Sequence, residues 1–361
     1  RVINMTKLAP KDPMVSLASQ TIEKIPDLDL FDSHDLKPDD LKDLALRTEE
    51  ASLKIKGINN SNGASSSQSK TSFHLSTSNG FSGGYKKSNY SISCSSIAGD
   101  DLNMQTDYDY DSKVFFKDLK DELSIGEKAA KNTLAKCNPK KIKTCTSDIV
   151  FDPRVSRTIL AHFSSLINGA SIARGSSFLS EKMNTKIFNK DVNIIDDPSI
   201  LRGIASKPFD DEGCGIQKLN IVQNGNLNSW ILDTTTAKQL NLNSNNRASR
   251  GMSSPPSPSS TNMFIENGSF SVNEIIKNIK DGFYVTDLIG QGVNLITGDY
   301  SRGAGGFKIE DGNITFPINE VTIADNLKDM FSRMIIANDL DFKYSINSPT
   351  ILIEGMKIAG I

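Results

Sequence analysis

The pattern of hydrophobic and polar positions predicts amphipathic helices in the N-terminal part of the chain. Residues 1–38 contain repeated prolines and are predicted to be loop-rich. A helix is predicted over residues 39–56, with acidic residues in its first turn and Gly57 as its stop. A second helix is predicted to open at Ser124, because Ser124 and Glu127 form a capping-box pattern. Asn138-Pro139 should end it.

Another helix is predicted directly after a short strand over residues 148–151. Asp152 can cap this helix, and Pro153 suits its first position, where no N–H is needed. Asn168-Gly169 should end it. Its apolar face is predicted to consist of Val155, Ile159, Leu160, Phe163, Leu166 and Ile167.

Strands are predicted in two parts of the chain. Residues 58–99 are rich in Ser, Asn and Gly, yet Phe73 and Leu75 alternate with polar neighbours, and the same alternation recurs at Tyr90 and Ile92. Alternation is typical of half-buried strands rather than disorder. The chain after residue 169 is predicted to be mostly strands.

Two dipeptides, Asn224-Gly225 and Asp311-Gly312, lie between apolar runs and favour the positive φ angles of tight hairpin turns. Ser271 and Glu274 form a capping-box pattern that should open a helix ending near Gly282. Hairpins mixed with separated helices indicate an α+β fold.

Two domains are predicted, divided in the lysine-rich stretch at residues 138–147. Residues 1–146 would form an N-terminal α/β domain. Residues 147–361 would form a strand-rich C-terminal domain of mostly antiparallel hairpins with a few helices. The first residue is Arg1 rather than Met, so we expect the native start of the chain to be missing.

Composition excludes some classes of function. The formal net charge is −2, and no basic stripe of the kind that binds nucleic acid is present. No apolar run approaches the length of a membrane span, so neither a nucleic acid nor a membrane is an expected partner. The four cysteines show no C-x-x-C spacing, which favours reduced thiols in a cytoplasmic protein.

Residues 290–294 (Gly-Gln-Gly-Val-Asn) and 298–307 resemble the C-terminal signature of the TldD/PmbA family. The resemblance extends over most of the chain, from about residue 27 to residue 356. It implies a cytoplasmic heterodimer of one zinc-bearing and one metal-free subunit. Such a complex would degrade unfolded peptides or remove leader peptides inside a closed chamber.

The resemblance also indicates a branch. In the TldD branch, a His-Glu-x-x-x-His helix holds the zinc ion. The matching positions here are His162, Phe163 and Ile167, so neither the Glu nor the second His is present. The TldD branch also has a metal-binding Cys near its C-terminal end, whereas no Cys follows Cys214 here. The chain therefore resembles the PmbA branch, also called TldE, with no cofactor of its own and zinc expected in a TldD-like partner.

Candidate site residues follow from these motifs. Catalytic zinc needs three protein ligands and an open position for water, which His162 cannot supply alone, so His162 is interpreted as a structural histidine. The glycine-rich segment at residues 298–306 lacks the Gly-Lys-Ser/Thr ending of a phosphate loop and is interpreted as a tight connection with close backbone approach. A structural role and a functional role are equally open for it. Its candidate contacts with a peptide or a partner are Asp299, Tyr300, Ser301, Arg302 and Gly303.

Acidic clusters offer a further candidate. Residues 107–111 alternate Asp and Tyr and could bind a cation or a basic peptide, although a solvated strand or loop is the favoured interpretation. Asp196-Asp197 and residues 210–212 are adjacent acids, but neighbours in a strand point to opposite faces, so adjacency does not make an acid/base pair.

Three functions remain open from the sequence. The first is the metal-free subunit of a zinc peptidase, which would contact a zinc-bearing partner and a peptide substrate. The second is an independent hydrolase with an unconventional site. The third is a regulatory or binding protein, as the family's older description as a modulator of DNA gyrase suggests. The sequence identifies no peptide, and it leaves open whether the chain forms a homodimer when alone.

Overall fold

The computed structural model describes residues 2–19, 21–100 and 103–361. The helices are α1 (Val2–Leu8), α2 (Pro38–Leu53), α3 (Glu122–Ala135), α4 (Pro153–Leu166), α5 (Gly169–Ala173), α6 (Thr234–Gln239), α7 (Val272–Lys277) and α8 (Leu327–Arg333). The strands are β1 (Ile58–Ser76), β2 (Ser82–Ala98), β3 (Gln105–Lys113), β4 (Cys145–Phe151), β5 (Ile194–Asp196), β6 (Leu219–Gln223), β7 (Asn226–Leu227), β8 (Ala248–Ser249), β9 (Ser257–Pro258), β10 (Met263–Ile265), β11 (Asp281–Ile289), β12 (Asp299–Glu310), β13 (Asn313–Asn326), β14 (Met334–Ile336), β15 (Ile346–Asn347) and β16 (Ile351–Ala359).

The N-terminal sheet has the order β1-β2-β3, and all its pairings are antiparallel. Strands β1 and β2 pair along almost their whole length, from Ile58 opposite Ala98 to Ser76 opposite Ser82. From Ser88 to Ala98 every second residue of β2 is buried, and Ile92 packs with Leu44 of α2 and Ile125 of α3. The prediction of half-buried strands over residues 58–99 is therefore confirmed, because one face of the serine-rich sheet is covered by two helices.

One prediction in this part of the chain is wrong. Helix α3 begins at Glu122, not Ser124, because the carboxylate of Asp121 accepts a hydrogen bond from the Ser124 backbone N–H at 2.9 Å and supplies the cap. Helix α1 is a short helix within the segment predicted to be loop-rich. It ends before Pro10, so the prolines that marked this segment as loop-rich do not interrupt it.

The C-terminal part is built around a closed ring of strands. Its largest sheet has the order β13-β12-β11-β4-β16-β14, and β13 also pairs with β16, so five of the six strands form a barrel. Strands β4 and β11 are parallel, while the other neighbours are antiparallel. The predicted hairpin at Asp311-Gly312 is confirmed: it joins β12 to β13, with φ angles of 45° and 76°.

A second sheet has the order β15-β10-β5-β6-β7. The predicted hairpin at Asn224-Gly225 joins β6 to β7, with φ angles of 49° and 78°. The predicted capping box is also confirmed at the start of α7: the Ser271 hydroxyl accepts a hydrogen bond from the Glu274 backbone N–H, and the Glu274 carboxylate accepts one from the Ser271 backbone N–H. Helix α7 ends at Lys277, earlier than predicted, and β11 begins at Asp281.

Helix α4 lies in the largest hydrophobic core. All six residues of its predicted apolar face are buried, and they share one cluster with alternate residues of the barrel strands. The predicted cap is confirmed, because the Asp152 carboxylate accepts a hydrogen bond from the Arg154 backbone N–H at 2.9 Å. No helix in the described ranges is long and apolar enough to cross a membrane.

Candidate functional site

Helix α4 carries the positions that match the zinc motif. Phe163 and Ile167 are completely buried. The Phe163 ring meets Phe188 and Phe331 edge to face, with ring centroids 5.1 and 5.9 Å apart. The position that would hold a catalytic Glu is thus part of an aromatic core, and neither Phe163 nor Ile167 offers an atom that could bind a metal ion.

His162 lies beside the glycine-rich strand rather than in a ligand cluster. Its ring meets the Tyr300 ring edge to face at 6.3 Å, and its Nε2 atom is buried without a hydrogen-bond partner in the protein. Burial lowers the pKa of His162, and the positive charge of Arg302 lowers it further. A neighbouring cation also disfavours a metal ion at this position. In the described part of the chain, no group of three or more His, Cys, Asp and Glu side chains could hold one.

The glycine-rich segment is not a connection, as the sequence suggested, but part of strand β12. Its alternation divides the candidate residues between two faces. Tyr300 and Arg302 are only 1% and 7% exposed and lie on the face nearer α4. Asp299 and Ser301 are exposed on the other face, to which Gly303 also belongs. The structure therefore brings Tyr300 and Arg302 to His162 and separates the other three from it.

The expected close backbone approach does occur in this segment. A Cβ atom on Gly306 would lie 2.0 Å from the Tyr284 carbonyl oxygen of β11, so any larger residue would push the two strands apart. Asp299 belongs to a local network, in which its carboxylate accepts hydrogen bonds from the Thr297 hydroxyl at 2.6 Å and the Asn326 amide at 3.2 Å.

The sequence did not reveal a buried ion cluster where β3 meets α4. The Asp107 carboxylate, 1% exposed, accepts two hydrogen bonds from the Arg154 guanidinium, from Nη1 at 2.8 Å and from Nη2 at 3.2 Å. The Lys136 ammonium lies 2.9 Å from Asp107 and 2.6 Å from Asp287 of β11. The cluster thus connects β3 and the end of α3 to α4 and the barrel.

This cluster corrects the interpretation of residues 107–111 as a solvated run. Asp107 and Asp111 are buried on the packed side of β3, and Asp107 pairs with Lys136 and Arg154, which lie far away in sequence. Burial acts to raise the pKa of Asp107, but hydrogen bonds and charges from Arg154 and Lys136 outweigh it, so the pKa of this carboxyl is lowered. No short-range pattern in the sequence predicts partners that lie so far away in the chain.

Two cavities flank the ion cluster, and Arg154 and Thr286 line both. The first, of about 490 Å³, is rich in acids and includes Asp109, Asp152 and Asp339. The Tyr284 hydroxyl donates to Asp152 at 2.9 Å, and Asp339 accepts from the backbone and hydroxyl of Thr350, which ties these acids to the fold.

The second cavity, of about 480 Å³, is lined by more cations than acids. Its charged lining consists of Lys136, Arg154, Arg157, Arg302 and Asp287. Arg302 thus contributes to a cavity, as its candidate role requires, whereas Arg157 and Arg154 were not singled out from the sequence. Both lie on the first two turns of α4, and a basic residue there carries no recognisable signal of function.

Two family models match the chain. The PmbA/TldA metallopeptidase central domain matches residues 31–136, and the PmbA/TldA metallopeptidase C-terminal domain matches residues 144–360. The Metalloprotease PmbA homolog of Haemophilus influenzae is 35% identical, over 98% of this chain and 76% of its own length.

Solved structures share the fold. A Bacteroides thetaiotaomicron protein named as a candidate modulator of DNA gyrase aligns with a TM-score of 0.90 at 29% identity, covering 99% of this chain and 81% of that one. TldE from Thermococcus kodakarensis aligns with a TM-score of 0.85 at 23% identity, covering 99% and 82%. At that identity the second likeness shows the fold alone. The predicted α+β class is confirmed by these neighbours and by the observed sheets.

Proposed function

The chain belongs to the PmbA/TldD metallopeptidase family, as its motifs predicted, and from this membership we propose that it is the metal-free subunit of a heterodimeric zinc peptidase. In this proposal a TldD-like partner holds the zinc ion. The two subunits together degrade unfolded peptides or remove leader peptides. This chain supplies part of the wall against which the peptide lies.

One observation carries the proposal. The positions that match the catalytic Glu and the second His ligand are Phe163 and Ile167, both completely buried in the core. A carboxylate or a metal ion at either position would replace packed hydrocarbon with a charge, which the surrounding apolar groups could not stabilise. The helix that is catalytic in one branch therefore serves here as a packing element, and cleavage requires a second, zinc-bearing chain.

The family membership favours a paired assembly. Related subunits that keep the same fold usually associate about a two-fold axis, so a metal-free chain can pair with its zinc-bearing homologue through matching surfaces. We further propose a cytoplasmic location. Cys94, Cys137 and Cys145 carry free thiols, as expected in a reducing compartment.

Two alternatives have specific support. The relatives named Metalloprotease PmbA favour an independent hydrolase, since their names ascribe activity to that chain. The Bacteroides structure's name favours a regulatory role towards DNA gyrase. The hydrolase would need a site that the matched motif does not supply. For the regulatory role, the composition gives no sign of a basic surface that would bind DNA. Direct contact with the gyrase protein would not need such a surface.

An assembly experiment tests the proposal. This chain is mixed with the zinc-bearing homologue of the same organism, and the mixture is analysed by size-exclusion chromatography with light scattering. We expect a new species with the mass of one copy of each chain. Two separate peaks at micromolar concentrations would contradict the proposal. Altered supercoiling by gyrase on addition of this chain alone would favour the regulatory alternative.

A further inference from the structure

We propose that the second cavity is a carboxylate-binding subsite in which Arg157 and Arg302 hold a carboxylate of a bound peptide. The choice of a peptide as the ligand rests on the function proposed above. The two arginines come from different elements, α4 and β12, and both line the same space of about 480 Å³.

Arg302 is a buried cation without a counter-ion. It is 7% exposed, and its Nε donates one long hydrogen bond, of 3.4 Å, to the Ile289 carbonyl oxygen. It forms no ion pair with any carboxylate in the described ranges. An unpaired charge in such a position is costly, so the site favours an anion that can approach from the cavity.

The Arg157 side chain is held by an aromatic ring, but like Arg302 it has no counter-ion. Its guanidinium stacks on the Tyr344 ring at 3.9 Å from the ring centroid, and its Nε is buried without a hydrogen-bond acceptor. No carboxylate of a described residue forms an ion pair with it. Stacking fixes the plane of the guanidinium while leaving its N–H groups available for a planar anion.

The other two cations of the cavity, unlike Arg157 and Arg302, are paired with carboxylates of the protein. Arg154 is paired with Asp107, and Lys136 is paired with both Asp107 and Asp287. Their charge is therefore compensated inside the protein. The uncompensated positive charge of the cavity is confined to Arg157 and Arg302.

Buried polar atoms without a partner occur on Arg157 itself and on His162 and Tyr300, which lie near Arg302 but do not line the cavity. Four buried side-chain polar atoms in the described part of the chain lack a hydrogen-bond partner, and three of them are Arg157 Nε, His162 Nε2 and Tyr300 Oη. Buried polar groups are nearly always paired, so the unpaired Nε of Arg157, a residue of the cavity lining, favours a polar ligand there. His162 is also near enough to Arg302 for that charge to affect its pKa.

The surroundings favour a carboxylate over other anions. Guanidinium groups match the flat, two-oxygen face of a carboxylate and can hold it with paired hydrogen bonds. Apolar residues complete the walls, among them Val155, Leu288 and Ile318, and they suit the methylene groups next to an acidic side chain or a chain end. A free C-terminus and a Glu side chain share this chemistry, and the experiment separates them.

The test measures binding to this chain alone by isothermal titration calorimetry at low salt. The probes are an acetylated tetrapeptide of Ala and Leu with a free C-terminus, the same peptide amidated, the amidated peptide with one internal Glu, and inorganic phosphate. We expect the first or the third probe to bind at least about tenfold more tightly than the amidated peptide, because the carboxylate gains charge-assisted hydrogen bonds. Whichever of the two binds identifies the source of the carboxylate.

Variants then locate the site. Arg302→Gln and Arg157→Gln should each reduce carboxylate affinity about tenfold or more. The matched control Arg174→Gln, at an exposed arginine outside the cavity, should change nothing. If Arg302→Gln does not fold, the carboxylate affinity of Arg157→Gln alone decides the test. In NMR titrations of the three histidines, the bound carboxylate should raise the pKa of His162, since it offsets the charge of Arg302.

Equal binding of all peptide probes, or undiminished carboxylate binding by both variants, would overturn the inference. Phosphate binding as tight as that of the carboxylate would overturn its selectivity. These measurements do not involve the zinc-bearing homologue. A chain that binds carboxylates but never assembles would therefore refute the proposed partnership alone, and a chain that assembles without carboxylate binding would refute this subsite alone.

Discussion

Arg154 of α4 and Asp107 of β3 form a two-point ion pair, with Nη1–Oδ1 and Nη2–Oδ2 distances of 2.8 and 3.2 Å. The pair is nearly removed from water, since the Asp107 side chain is 1% exposed and that of Arg154 is 21% exposed. Together with Lys136 and Asp287 it separates the two cavities. The pair therefore fixes the start of α4 relative to the N-terminal sheet.

Loss of the Asp107 charge should destabilise the protein strongly. Asp107→Asn leaves Arg154 and Lys136 buried with too little negative charge, and breaking a buried pair in this way typically costs about 3–5 kcal/mol. Urea denaturation followed by circular dichroism measures the free energy of unfolding. Asp109→Asn on the same strand is the control. Burial raises the pKa of Asp109, so the neutral side chain should cost little or stabilise the fold. Equal losses for both variants would contradict the role assigned to the pair.

The same carboxyl group should make stability depend on acid. Burial tends to raise the pKa of Asp107, but Arg154 and Lys136 lower it overall, so the folded state holds the ionised form more strongly than the unfolded state does. Its stabilisation is then fully present above the unfolded pKa of about 4 and is lost as pH falls further, through the folded pKa. The stability difference between wild type and Asp107→Asn should shrink below about pH 4. A difference that stays constant down to pH 2 would exclude this linkage.

The turns and helix caps could be predicted from the sequence, because they depend on interactions between residues close together in the chain. The turns at Asn224-Gly225 and Asp311-Gly312 and the cap at Asp152 depend on residues within a few positions of one another, and all three are observed. The sequence predicts the cap of α3 at Ser124, whereas Asp121 supplies it, because several capping residues lie close together there.

Non-local interactions explain what the sequence did not show. Asp107 was expected in solvent because its cationic partners lie 29 and 47 positions away in sequence. The sequence does not distinguish the residues of the candidate segment at 299–303, whereas strand alternation places Arg302 in a cavity and Asp299 on the surface. The absence of the zinc motif, in contrast, was visible directly, since residue identity alone decides whether a side chain can bind a metal ion.

Phe163 should behave as a core residue and not as a degenerate catalytic one. Phe163→Ala should lower the free energy of unfolding by about 3–5 kcal/mol, because it leaves a cavity beside Phe188 and Phe331. Phe163→Met, which keeps most of the volume, should cost much less. Phe163→Glu restores the motif residue but buries a charge, so it should unfold the chain. A stable Phe163→Glu variant would show that this position tolerates a carboxylate. Thermal and urea unfolding distinguish these outcomes.

His162 should make the protein less stable in mild acid. Burial and then the charge of Arg302 lower its pKa in the folded state, so the unfolded state takes up a proton first as the pH falls. Stability should therefore decrease as pH falls through the unfolded pKa of about 6.5. His162→Gln should flatten the stability profile between pH 7.5 and 5.5, roughly one unit to either side of that value. An unaltered slope in His162→Gln would mean that another group causes it.

The most direct test of the metal-free subunit assignment is peptide cleavage, titrated against the ratio of the two chains. A fixed amount of the zinc-bearing homologue receives increasing amounts of this chain, and turnover of an unstructured peptide is recorded together with zinc content. We predict no turnover and no bound zinc for this chain alone. We also predict a rise to a plateau at equal amounts of the two chains, with one zinc ion per pair. Chelator-sensitive cleavage by this chain alone, with one tightly held zinc ion per chain, would contradict the account.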